Sequence, residues 1–134
     1  MVLETLAALV LLGHGLGHTT GLAGAWSNIE TGFSDKPWIF GENMRLRSPI
    51  GKVFGLVFLT AAMLFVISSV AAFTGSESWR TFALAGSIAS IACMVPWWNT
   101  VIFGARLGVL LDIAIILVLI VPGGEPFVDF FGLP

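Results

Sequence analysis

The sequence predicts an all-α integral membrane protein, a bundle of four transmembrane helices forming one domain over residues 1–134. Two observations lead there. Charged residues fill only 10% of the positions and apolar ones 57%, with a mean hydropathy of +0.97, which no water-facing surface tolerates. The few charges are also segregated: none interrupts residues 5–29, 53–76 or 81–105. Each gap provides the roughly 20 residues that about 30 Å of hydrocarbon requires at about 1.5 Å per helical residue. The composition also excludes other classes. Six basic residues against eight acidic ones cannot make a nucleic-acid surface, and a single cysteine cannot make a disulfide scaffold.

The first span is expected over about residues 3–26. Ala23-Gly24-Ala25 has the small side chains of a signal-peptide cleavage site, but Glu4 stands where a basic flank belongs, so the segment is read as a retained helix. The second span, about 49–73, opens with Ser48 as N-cap and Pro49 at the first helical position. Gly75 and the serines after it turn the chain into a third span at about 79–95. Pro96-Trp97-Trp98-Asn99 then breaks the helix, with Asn99 expected to cap a fourth span of about 99–121 that Pro122-Gly123-Gly124 ends.

Orientation follows from the basic residues. Lys36, Arg45, Arg47 and Lys52 lie in or beside loop 27–48, Arg106 lies near the third turn, and only Arg80 is on the other side. The positive-inside bias places that loop in the cytoplasm of a multi-pass cell-membrane protein, with both termini and the tail 122–134 outside. Trp26, Trp38, Trp79, Trp97 and Trp98 all fall near span ends and are expected, with Arg45, Arg47 and Arg106, to anchor the protein at the headgroups of the lipid bilayer.

Small residues recur every four positions. Gly13, Gly17 and Gly21 mark one face of the first helix, Gly51 and Gly55 one of the second, and Gly104 and Gly108 one of the fourth. Such stripes are expected to be helix-packing faces. Because they exceed what one four-helix core consumes, they also suggest a homo-oligomer or a place among other membrane subunits. In the third helix, Ala83, Ser87 and Ser90, with Cys93 near the same face, are expected to serve close packing alone.

Polarity inside the spans is concentrated in three residues. His14 and His18, the two histidines of the chain, share one helix face at i, i+4 spacing. Asp112 follows Gly108 by four residues on the small-residue face of the fourth helix. Arg106 is a poor partner for it: six positions turn the helix by about 600° and raise it about 9 Å. His14 and Asp112 instead lie at similar depths, each about 18 Å from its helix end, so a His14/His18/Asp112 cluster is expected. It would carry a proton, hold an ion or receive a small polar ligand. The metal is left unknown, because HExxH and the histidine boxes of di-iron oxygenases are absent. A second reading makes His14 and His18 cofactor-binding residues of a haem b or quinone-associated electron-transfer subunit, since the flanking glycines leave room for a flat ring. No nucleophile elbow, Walker loop or dinucleotide fingerprint occurs, so a non-enzymatic role is favoured.

Several short motifs, taken together, resemble a known family. They are His18, Arg47-Ser48-Pro49-Ile50-Gly51 with Phe54, Trp79-Arg80, Ser90, and Gly104-Ala105-Arg106-Leu107-Gly108 ahead of Asp112. The chain resembles the widespread, uncharacterised four-helix integral membrane proteins of prokaryotes. That resemblance implies the same fold and brings no established activity.

Overall fold

The computed structural model describes residues 2–41, 43–98 and 103–134, and every regular element among them is helical. The elements are α1 (Val2–Trp26), α2 (Pro49–Phe73), α3 (Ser78–Met94), a 3-10 turn (Val95–Trp97), α4 (Phe103–Ile120) and α5 (Glu125–Phe131). The expected cap at Asn99 lies outside the described residues. Three helices are long and apolar enough to cross a membrane: α1, α2, and α3 extended through the 3-10 turn. Residues 104–120 reach that length only together with α5, which is bent away from α4 by 113°. The tail after Pro122 contains this short helix.

Local chemistry sets these limits. Ser48 accepts a hydrogen bond from the Gly51 amide and Pro49 occupies the first turn, satisfying the start of α2. Gly75 takes φ +70°, which an L side chain seldom adopts, and so permits the tight connection to α3.

Helices pack in chain order, α1 on α2, α2 on α3 and α3 on α4, whereas α1 and α4 form no comparable interface. Polar ties fix the antiparallel registers. Ser69 donates to the Ala8 carbonyl at 2.7 Å, while at the other end of the same pair the Trp26 indole donates to the Lys52 carbonyl. Ser68 donates to the carbonyl of Trp79 across α2 and α3 at 2.8 Å. Each hydroxyl is buried and takes a backbone acceptor, so none is left unpaired in an apolar interior.

The glycine stripes divide into two kinds. A Cβ at Gly21 would fall 2.4 Å from the Phe58 ring, one at Gly51 would strike the Leu46 carbonyl, and one at Gly55 would lie 2.8 Å from Ala25 and Trp26. Gly21 and Gly55 thus admit a neighbouring helix, as expected, whereas Gly51 makes room for the Arg45 and Leu46 carbonyls of the loop before its own helix. Gly13, Gly17 and Gly104 do not pack within the chain, because a Cβ on each would meet nothing within 4 Å. Gly15, outside the four-residue repeat, does the work on α1 instead, lying against Phe65 and Ala62.

Loop 27–48 folds back over one end of the bundle. Met44 and Leu46 are buried beside Phe58, Met94 and Trp97, and the Arg47 guanidinium donates to the carbonyl of Gly24 at 3.2 Å. Headgroup anchoring is therefore corrected for Trp97, which is fully buried in that core, and for Trp79, which is 5% exposed with its indole donating to the Pro134 carbonyl. Trp26, Trp38 and Trp98 remain exposed, with Lys52 over the Trp26 ring and Arg106 over that of Trp98. Arg45 pairs with Asp35.

The two kinds of glycine predict different mutational costs. Gly21→Ala should lower stability by about 1–3 kcal/mol through overpacking against Phe58. Gly13→Ala should be neutral, or stabilising by up to about 1 kcal/mol through helix propensity. Thermal unfolding of the two variants in the same detergent checks this, and equal losses would contradict the assignment of faces.

Candidate functional site

α1 presents His14 and His18 one turn apart, and their rings meet edge to face with centroids 4.9 Å apart. Phe65 of α2 backs both of them. Its ring lies 4.5 Å from that of His14 in a T-shaped contact and 5.8 Å from that of His18, nearly parallel at 10°. This packing sets the side-chain directions, and Phe65, fully buried, cannot swing away.

α4 brings Asp112 to the same place. Its side chain is fully buried, and Oδ1 lies 2.7 Å from His14 Nε2. Oδ2 accepts from the hydroxyl of Ser90 on α3. Both oxygens thus have partners, as a carboxylate removed from water requires. The three polar residues that the sequence singles out are brought together, with one donor atom of each within 4.8 Å of the others. Ser90 goes beyond its expected packing role, since it is the α3 partner of the carboxylate. Its place on the Ala83/Ser87/Ser90 face, in the helix next to the one that carries a mid-span carboxylate, is the signal that could have marked it.

His18 differs from His14. It is 4% exposed, and its Nε2 has no hydrogen-bond partner among the described residues. It lies on the wall of a cleft of about 440 Å³ between α1 and α4. Gly13 and Gly17 line the α1 side and Gly104 and Gly108 the α4 side, with Thr20, Phe33 and Phe58 also on the wall. Here the small residues hold a space open. At Gly108 the constraint is specific, because a Cβ would come 3.1 Å from Cε1 of His14. Beyond Val10 and Leu111, which border both spaces, lies a wholly apolar cavity of about 270 Å³ closed by Trp79 and the α5 residues Phe127, Val128 and Phe131. Polar chemistry is therefore confined to one half of the groove between α1 and α4.

The arrangement can bind an ion or a hydrogen-bonding group through His18 and pass a proton along His14 and Asp112. For an axially held ring such as haem, His18 offers the unengaged nitrogen, while Nε2 of His14 is already occupied by Asp112. The chain matches no family model, no curated protein and no solved structure.

Because His14 and Ser90 lose a buried partner, Asp112→Ala should cost about 3–5 kcal/mol. The double variant with His14→Ala should cost less than the sum of the singles by about 0.5–3 kcal/mol. Chemical or thermal unfolding of the four proteins measures the coupling, and strictly additive losses would mean that the two side chains do not interact.

Proposed function

We propose that the protein is a non-enzymatic, multi-pass cell-membrane protein that receives a small ligand, ion or proton at His14, His18 and Asp112 through the α1–α4 cleft. The observation that carries this reading is His18, which lines a space large enough for a ligand and whose buried Nε2 has no partner among the described residues. An unpaired buried polar atom costs free energy unless something fills the position.

In this reading α4 is the fourth span, α5 lies in the outer tail, loop 27–48 is cytoplasmic and both termini lie outside. The supporting asymmetry is Lys36, Arg45, Arg47 and Lys52 against Arg80, which is already paired with Glu125. The His-bearing cleft, lined by Thr20, Phe33, Gly104 and Ala105, then opens toward the cytoplasmic half, and the apolar cavity fills the outer half. Membership in the four-helix prokaryotic group that the chain resembles belongs to the same proposal, as does association with a second copy or with other membrane subunits.

A second reading keeps the site and changes the occupant. The free His18 nitrogen lies among aromatic rings, with Phe58 at 6.1 Å and Phe65 stacked, surroundings that also suit a haem or a quinone head. Protein purified without added cofactor should then show a Soret band or co-purifying quinone that disappears in His18→Ala. A colourless, quinone-free preparation removes this second reading.

Ligand access is tested by diethylpyrocarbonate, which carbethoxylates imidazoles that present a free nitrogen. His18 should be modified in the folded protein, and Gly17→Leu, which fills the cleft where Gly17 has open space, should slow the reaction sharply. Mass spectrometry reads the modified residue. A His18 that reacts only after unfolding would refute an accessible site.

A further inference from the structure

We infer that His14, His18 and Asp112 bind a divalent transition-metal cation of the zinc class, entering through the cleft between α1 and α4. This rests on the reading of that cleft as a ligand site and names its ligand. One donor atom from each residue lies within 4.8 Å of the others, a span that modest side-chain adjustment closes around an ion with bonds of about 2.0–2.2 Å. The donors come from two helices that share no extensive interface among the described residues, so their convergence is a product of the fold.

The donor set selects the metal. Two imidazoles and one carboxylate suit Zn²⁺ and its first-row neighbours, whereas Ca²⁺ and Mg²⁺ call for shells of oxygen. Cys93 stays outside the site, its thiol directed to the Ser90 carbonyl at 3.1 Å. His18 supplies an independent observation: the residue lines the cleft, its Nε2 is buried without a partner among the described residues, and a cation would satisfy it.

His14 and Asp112 change partners when the ion enters. The cation takes the position of the proton between Nε2 and Oδ1, and the imidazole proton is carried on Nδ1, where Gly108 leaves the ring edge clear. Ser90 keeps its hydrogen bond to Oδ2 and holds the carboxylate in orientation, the outer-shell role that ligating carboxylates require. Three protein ligands leave a position open to the cleft for water or an anion, which also offsets the charge that one carboxylate leaves uncompensated.

The test uses the full chain purified through a histidine-free tag, dialysed against Zn²⁺ with excess Mg²⁺ and assayed for bound metal by mass spectrometry. About one Zn²⁺ per chain is expected, with Co²⁺ giving the visible bands of a four-coordinate site. Asp112→Asn and His18→Phe, the latter able to stay folded against Phe65, should each lower affinity by at least the 10–100-fold that outer-shell changes typically cost. Ser90→Ala should lie near the low end of that range, and Thr60→Ala, which removes an exposed hydroxyl that bonds the Leu56 carbonyl of its own helix, should bind as the parent does. Substoichiometric Zn²⁺ in folded protein, or binding unchanged in His18→Phe, overturns the proposal. If His18 still reacts with diethylpyrocarbonate while no Zn²⁺ binds, only the metal assignment falls; if both fail, the ligand-site reading falls with it.

Discussion

A carboxylate buried in a bundle of apolar helices has to find hydrogen-bond partners, and this requirement at Asp112 organises the molecule. Its two oxygens reach His14 on α1 and Ser90 on α3. Beyond Arg106 in its first turn α4 is otherwise apolar, and a helix with so little polarity has little to choose between rotations about its axis. Leaving Asp112 toward hydrocarbon would expose a polar group where no water can satisfy it. The rotation of α4 is set by that penalty, and with it the facing of Gly108 toward His14.

Packing and opening are then complementary uses of the same residue type. Where α1 meets α2, Gly15, Gly21 and Gly55 let backbone and large side chains come together, with Phe58 and Phe65 filling the space. Where α1 faces α4, Gly13, Gly17 and Gly104 meet nothing, and the absence of side chains makes a cleft. The difference lies in what stands opposite. Aromatic side chains from α2 advance onto α1, but α4 is held at a distance set by the reach of His14 and Asp112.

The two ends of the bundle are closed by the chain itself. At one end, loop 27–48 buries Met44 and Leu46 against Trp97, and Trp38 donates its indole hydrogen to the Val95 carbonyl. At the other, α5 turns across the bundle, Val128 buries beside Trp79, and Arg80 grips Glu125 and the Pro134 carbonyl. Two tryptophans, and Arg47 through its bond to the Gly24 carbonyl, are thereby engaged internally although a linear reading assigns them to lipid headgroups. A tryptophan at a span end satisfies its N–H as well with a protein carbonyl as with a lipid one, and sequence position cannot tell these apart.

Taken alone, the sequence determined the all-helical class, the three apolar helices long enough to cross a membrane, the Ser48-Pro49 start of α2, and the coincidence of His14 and His18 on one face. Each of these depends on composition or on periodicity within a single segment. Helical geometry even carried the depth match between His14 and Asp112, because rise per residue is a local constant. The tertiary structure decided that Ser90 is the second partner of the carboxylate, that Phe65 backs both imidazoles, and that the glycines of α1 and α4 border a cleft. It also decided that Nε2 of His14 is taken by Asp112, while the buried Nε2 of His18 has no partner among the described residues. Those features depend on how each helix is rotated and how far apart neighbours stand, and only the simultaneous packing of all the helices settles both.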